Sequence, residues 1–177
     1  MAVNKARFLL SAAFTLIELI IVVGIISLIV TMSLGYYNPF TERKKIEEGQ
    51  KRLLDTLELA KKKAVSGDMA GQSCSKSFTG YQVVVDAASY TLYFCCDTSG
   101  VLPLCVSPVT TYNYPSHVTA TAVPALPQNI IFKPVFGDTT LSGTVVIKLT
   151  NSTLPLADCR QISITPLGSI QPSDVCP

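Results

Sequence analysis

The sequence predicts an α+β protein in which a long N-terminal α-helix, membrane-spanning in its first half and amphipathic in its second, packs on a mostly antiparallel β-sheet head with disulfides. Three observations support this class. An apolar run of 21 residues extends from Phe14 to Leu34, and apolar residues then recur at helical spacing from Thr41 to Val65. Beyond Gly71 the chain becomes rich in β-branched and aromatic residues and contains all six cysteines.

The run from Phe14 to Leu34 is the first predicted element. As a helix it would be about 30 Å long, at roughly 1.5 Å per residue, which is enough to cross the hydrocarbon core of a bilayer. Glu18 is its only charged side chain. An unpaired charge at that depth costs a few kcal/mol or more, so Glu18 requires a partner and is a candidate functional residue.

The residues before this run have the features of an export leader. Residues 1–13 contain Lys5 and Arg7 but no acid, and they end in Ser11-Ala12-Ala13. Small residues after a basic segment are typical of a cleavage site. Because they precede the apolar run, cleavage after Ala13 would leave that run on the mature protein. The new amine of Phe14 would lie one helical turn from Glu18 and could pair with it, on the same chain or on a neighbouring copy.

Ala13 followed by Phe14-Thr15-Leu16-Ile17-Glu18-Leu19-Ile20 resembles the class III signal of type IV pilins and type II secretion pseudopilins. The resemblance implies that a prepilin peptidase cleaves between Ala13 and Phe14 and methylates the amine of Phe14. It also implies that Glu18 neutralises the N-terminal amine of an adjacent subunit during filament assembly. One departure is Ala13, because the family usually has Gly before the cleaved bond.

The same resemblance implies a location and a set of partners. The location is the inner (cytoplasmic) membrane, crossed once with the head outside the cytoplasm, followed by a cell-surface or periplasmic filament. The partners are other pilin or pseudopilin subunits, the prepilin peptidase, an inner-membrane assembly platform and, before assembly, the lipid bilayer.

A helix break and a second helical portion follow the apolar run. Gly35 and Pro39 are the predicted break, since proline removes a backbone donor and is tolerated only in a first turn. From Thr41 to Val65 a single helical face carries the apolar residues, and Ser66-Gly67-Asp68 supplies the stop. The residues of that face are Ile46, Leu53, Leu57, Ala60 and Ala64.

The head is predicted from strand patterns. Tyr81–Val85 and Tyr90–Phe94 read as a β-hairpin with its turn at residues 86–89. Further strands are expected at 129–136, 144–150 and 161–165. Five prolines between residues 97 and 128 predict a variable loop region without a long regular element, apart from a short edge strand at 118–123.

The head also resembles a subfamily. The segments Leu57–Ala64, Ile131–Gly137 and Ile162–Ile170 resemble the pattern of H-type pseudopilins and FimT-like minor pilins. This resemblance implies a minor rather than a major subunit.

The six cysteines are expected to form disulfides, because their number is even and they lie in a segment predicted to be exported. Cys159 with Cys176 is the first expected pair, since it closes a stretch of 16 residues near the C-terminus, where pilins often carry a disulfide loop. Alternation along a strand points Cys95 and Cys96 to opposite faces, so each should take a different partner. Cys74 and Cys105 are the nearest candidates, and the pattern leaves open which takes which.

Charge and motifs weigh against several functions. Residues 64–177 contain four basic and six acidic side chains, which weighs against nucleic-acid binding by the head. The sequence lacks a Gly-rich phosphate loop and a G-x-S-x-G motif, so no enzyme is predicted. We expect no cofactor and no zinc site. Calcium held by aspartates in the predicted turns is the one metal left open; these are Asp86, Asp97, Asp138, Asp158 and Asp174.

The predicted organisation is a cleaved leader at 1–13, a transmembrane and filament-core helix at 14–37, an amphipathic helix at 38–66 and a β-rich head at 67–177. The predicted function is that of a structural subunit, a minor pilin or pseudopilin, of a type IV pilus or a type II secretion-like filament. The alternatives are a tip adhesin or a DNA- or ligand-binding minor pilin, a major pilin, and a membrane-anchored domain that never polymerises.

Overall fold

The computed structural model of the protein describes residues 15–69, 71, 73–74, 76–97, 103–156 and 158–176, without the side chains of 32–38, 103–104 and 106–107. Within these ranges one helical element precedes eight strands. The elements are α1 Leu16–Ser66, β1 Ser77–Val85, β2 Ser89–Asp97, β3 Pro103–Asn113, β4 Val118–Val123, β5 Gln128–Phe132, β6 Val145–Asn151, β7 Arg160–Ile164 and β8 Ile170–Ser173.

The chain divides into two compact units, Met1–Asn38 and Pro39–Pro177. We call the first the N-terminal unit and the second the head unit. Helical residues 16–38 belong to the N-terminal unit and helical residues 39–66 to the head unit. Gly35 and Pro39, the predicted break, both lie within the helical range, and the boundary between the units falls directly before Pro39.

The predicted fold class is wrong in its helical part, although the protein is α+β. A single long helix with a membrane-spanning first half was expected, but the helical residues are shared between two units. Within the described residues, neither portion is the long apolar helix that was expected. Residues 39–66 carry many charges.

The predicted single pass through the inner membrane is likewise corrected. Among the described residues, no helix combines the length and apolar character that crossing a membrane requires.

The strands form two antiparallel sheets of four strands, in the orders β3-β2-β1-β5 and β4-β6-β7-β8. The predicted hairpin is confirmed, because β1 pairs with β2 from Val85↔Tyr90 to Ser77↔Asp97. Its turn is closed by the Asp86 N–H, which donates to the Ser89 carbonyl at 2.9 Å. The predicted edge strand at 118–123 is confirmed as β4, which pairs only with β6 among the described strands.

The prediction of an irregular loop across residues 97–128 is wrong. β3 covers 11 residues of this region and pairs with β2. Its prolines are compatible with a strand because β3 lies at the edge of its sheet, where a missing backbone donor can face away from the neighbouring strand. Pro108 pairs with Tyr93 next to a register shift, so the irregularity that proline introduces is absorbed by a bulge.

The strand expected at 129–136 ends early, at Phe132. Val135 and Gly137 have φ angles of 73° and 67°, so the chain turns instead of continuing the ladder. The Lys133 N–H donates to the Asp138 carbonyl at 2.8 Å and closes this turn.

The predicted face of the second helical portion is confirmed. All five of its residues are at most 2% exposed, and they share one core cluster with residues of both sheets, such as Tyr81, Phe132 and Ile147. The predicted stop is also confirmed, because the Gly67 N–H bonds the Ala64 carbonyl and the Asp68 N–H bonds the Lys63 carbonyl. Gly67 has a φ of 64°, the left-handed conformation of a helix C-terminus.

All six cysteines form disulfides within the head unit. The pairs are Cys74–Cys96, Cys95–Cys105 and Cys159–Cys176. The expected C-terminal pair is therefore confirmed, and the adjacent cysteines of β2 take different partners as predicted. Disulfides of this kind typically stabilise a small domain by about 2 to 4 kcal/mol each.

Leu57→Ala should lower the free energy of unfolding by about 2 to 5 kcal/mol, because Leu57 is completely buried and its truncation leaves a cavity. Leu59→Ala is the matched control on the same helix, since Leu59 is 41% exposed, and it should cost less than about 1 kcal/mol. Denaturant unfolding followed by circular dichroism measures both. Equal losses in the two variants would contradict the assigned packing face.

Candidate functional site

The helix of the N-terminal unit begins at a capped end. The Thr15 Oγ1 accepts a hydrogen bond from the Glu18 N–H at 3.3 Å. The Thr15 carbonyl accepts the Glu18 and Leu19 N–H groups at 3.1 and 3.2 Å. Thr15 is therefore the N-cap, and Glu18 is the third residue of the helix, an arrangement typical of a capping box.

Glu18 lies where a carboxylate favours the helix, because the first turn carries the positive end of the helix dipole. The sequence has no Lys, Arg or His between Phe8 and Glu42. The described residues of the N-terminal unit therefore offer Glu18 no cationic side chain, and a full charge partner has to come from elsewhere.

The rest of this helical portion is apolar on every side. Every large apolar residue from 16 to 30 is between 44% and 78% exposed. Such a helix normally lies buried within a larger assembly of apolar groups. These residues are Leu16, Ile17, Leu19, Ile20, Ile21, Val22, Val23, Ile25, Ile26, Leu28, Ile29 and Val30.

The few small or polar residues of this portion do not interrupt the apolar surface. The Ser27 hydroxyl donates to the Val23 carbonyl at 2.8 Å, and the Thr31 hydroxyl donates to the Ser27 carbonyl at 2.6 Å. Both hydroxyls are therefore satisfied within their own helix. Gly24 has nothing within 4 Å of the position of a Cβ atom, which leaves room for close approach of another backbone.

The structure does not bring the other predicted site residues to this surface. Ala13 and Phe14, the predicted cleavage pair, lie outside the described residues. The cysteines belong to the head unit. The residue that the sequence reasoning missed is Thr15, although the Thr-x-x-Glu spacing of a capping box was present in the sequence.

A charged cluster in the head unit was also missed. Glu42 accepts hydrogen bonds from Lys45 Nζ at 2.6 Å and from Asn151 Nδ2 at 2.7 Å. Asn151 is 4% exposed, and its Oδ1 accepts the N–H and hydroxyl of Thr153. His117 Nδ1 lies 3.6 Å from Glu42 Oε2. The cluster ties the helix to β6, and no local pattern could reveal it because Glu42 and Asn151 are 109 residues apart.

These contacts set the ionisation of Glu42. The hydrogen bond from Lys45, followed by that from Asn151, holds the pKa of Glu42 below its ordinary value of 4.5. The pKa of Glu47 is lowered in the same way by its hydrogen bond with Lys44. Both carboxylates therefore stay charged in the folded protein to a lower pH than in the unfolded chain.

A groove of about 440 Å³ lies where the last turns of the helix approach the turn before β8. Lys61 spans this groove, and its Nζ donates to the Gly168 carbonyl at 2.8 Å. Lys62 faces Glu58 at 3.4 Å. Both of these charges therefore already have protein partners.

The aspartates considered for calcium do not converge. Asp158 pairs with Arg43 at 3.1 Å, Asp138 with Lys133 at 2.9 Å and Asp174 with Arg160 at 3.3 Å. In the part of the chain that the structure describes, no three His, Cys, Asp or Glu side chains lie together as metal ligands would.

Acidification below the ordinary pKa of 4.5 should destabilise the head, because a carboxylate with a depressed pKa contributes stability that is lost as it protonates. Glu42→Gln should lower stability near neutral pH and reduce the further loss on acidification; thermal unfolding across pH measures both. Because the pKa of Glu47 is also lowered, both the unmodified protein and Glu42→Gln should still lose some stability on acidification. Glu58→Gln, which changes an exposed pair, is the control, and the same profile in both variants would refute the role of Glu42.

No family model, curated protein or solved structure matches this chain.

Proposed function

We propose that this protein is a structural subunit, a minor pilin or pseudopilin, that assembles into a filament through the apolar helix of its N-terminal unit. The observation that carries the proposal is a helix that is exposed and apolar on every side and contains one carboxylate. The resemblance of residues 13–20 to the class III signal supports the same function.

The distribution of apolar residues favours several neighbours over one. A single partner helix covers one stripe of the surface, whereas the twelve exposed residues surround the axis. Completing the burial of each would contribute about 1 to 2 kcal/mol. Burial of all twelve would contribute about 12 to 24 kcal/mol, against an estimated cost of association of about 4 to 15 kcal/mol, so the surplus grows as more of the surface is covered. A bundle of such helices in a filament core covers the surface on every side.

Glu18 then decides how the helices are aligned. A carboxylate buried among apolar side chains is strongly unfavourable unless it is paired. The helical residues of the N-terminal unit, 16–38, include no Lys, Arg or His, so the partner belongs to another segment. In the proposed filament that partner is the N-terminal amine of a neighbouring subunit, which is available once the chain is cut between Ala13 and Phe14. The pairing would fix the axial register of adjacent subunits.

The proposed partners follow from this assembly. They are other pilin or pseudopilin subunits, a prepilin peptidase that produces and methylates the amine of Phe14, and an assembly platform.

Glu18→Gln should reduce incorporation into filaments about tenfold or more, because it removes the charge that the amine neutralises. The readout is the ratio of filament-bound to total protein in cells that make the native assembly machinery. Thr15→Ala is the matched control, since it removes the cap but keeps the carboxylate. Equal incorporation of Glu18→Gln and the unmodified protein would contradict the proposed pairing. If only Thr15→Ala lost incorporation, the cap of the first turn would be required for assembly and the charge of Glu18 would not.

Protein purified from such filaments should begin at Phe14 and carry one additional methyl group, as the resemblance to the class III signal implies. Intact-mass and N-terminal peptide analysis measure both changes. Ala13→Gly, which restores the usual family residue, should be processed at least as completely. An intact leader on filament-bound protein would overturn the proposed processing.

A further inference from the structure

Besides the apolar helix, the molecule has a second exposed surface, the outer edge of β3. β3 ends its sheet, and among the described strands it pairs only with β2. All residues from Pro108 to Asn113 are exposed, so this part of the strand is accessible to another chain.

The register shows which backbone groups point outward. The Tyr114 N–H donates to the Ala88 carbonyl at 3.1 Å, just beyond the ladder in which Asn113 pairs with Ser89. Hydrogen-bonded positions alternate along an antiparallel pair. Tyr112 therefore bonds to β2, whereas Thr111 and Asn113 point their N–H and C=O groups away from it.

The other edge strands are at least partly covered. On β5 the Ile131 carbonyl accepts the Thr140 N–H at 3.1 Å, and on β4 the Ala120 N–H donates to the Ala87 carbonyl at 2.9 Å. On β8 the Ser173 carbonyl accepts Gln50 Nε2 at 3.1 Å. Within the described part of the chain, no comparable bond reaches Thr111 or Asn113 on the outer side of β3.

The edge also lacks the charges that usually prevent strands from pairing. No Asp, Glu, Lys or Arg occurs between Thr98 and Ile131, whereas soluble proteins commonly place charged side chains, especially Lys, on exposed edges. Pro108 and Pro115 bracket the open segment, so pairing is confined to the few residues between them. An uncharged strand opposite an identical copy meets no like-charge repulsion.

We propose that this edge pairs with the same edge of a second copy of the chain, antiparallel and about a two-fold axis through Tyr112. In this register Thr111 of each copy faces Asn113 of the other, which forms four backbone hydrogen bonds between groups that are otherwise left to water. The two Tyr112 residues lie directly opposite each other at a non-hydrogen-bonded position, where side chains approach most closely. Aromatic pairs are favourable there.

The surroundings of Tyr112 fit a second aromatic ring. Tyr112 stacks on Tyr90 with ring centroids 5.3 Å apart. Both line a groove of about 290 Å³ whose helix side is formed by Arg52, Asp55, Thr56 and Leu59. Leu59 is 41% exposed beside this groove, and the ring of Tyr112 from the second copy would cover it. The pairing involves the head unit alone and does not depend on filament assembly.

Sedimentation equilibrium of the full chain in nonionic detergent, which covers the apolar helix, tests the pairing. Asn113→Pro removes one outward N–H in each copy and should weaken dimerisation about 30-fold. Asn113→Ala keeps the N–H and should dimerise as the unmodified protein does. Equal dissociation constants for the two variants, or a monomeric unmodified protein, would overturn the proposal.

Two further measurements keep the test independent of folding defects. Tyr112→Glu keeps the backbone donor but places two carboxylates opposite each other, so it should also prevent dimerisation while the thermal transition of the monomer is retained. A photo-crosslinking phenylalanine analogue at position 112 should join peptides containing residues 108–114 or Leu59 of two copies. Crosslinks confined to the apolar helix or to a different protein would refute the strand pairing.

Discussion

The head unit depends on one buried helical face. Leu53, Leu57 and Ala60 are completely buried and belong to the single cluster that includes residues of both sheets. Each sheet has one apolar face, and neither could bury it without a covering element. Alanines at 60 and 64 allow the helix backbone to approach closely, and the leucines lie in the cluster that contains residues of both sheets. The disulfides and the Glu42 cluster then hold the ends of strands whose main stabilisation comes from this face.

The two units solve opposite physical problems. In the head unit the helix has one apolar face and one charged face, and the two sheets bury the apolar face. In the N-terminal unit the described helical residues are apolar and exposed on all sides, and only other apolar groups can bury such a surface. The carboxylate of Glu18 adds a polar requirement to that surface. The proposed role as a subunit of an assembly accounts for both features.

Much of the fold was readable from local patterns. The helix face, the hairpin of β1 and β2, the stop at Gly67 and the pairing of Cys159 with Cys176 were predicted because each depends on residues close in sequence. The failures have physical reasons. The prolines of β3 were read as strand breakers, but an edge strand tolerates them. The membrane-crossing helix was inferred from hydropathy and length alone, and the described helical residues do not provide it.

The sequence by itself determined the position of the single carboxylate in an apolar segment, the periodicity of the packing face and the resemblance to a class III signal. These features depend on residue type and spacing, which are independent of folding. Only the tertiary structure decided that Glu42 is hydrogen-bonded by Asn151 and that the backbone N–H and C=O groups of Thr111 and Asn113 point away from β2. It also decided which cysteine of the adjacent pair joins Cys74. Each of these depends on register between segments distant in the chain, and register is fixed by packing as a whole rather than by any local pattern.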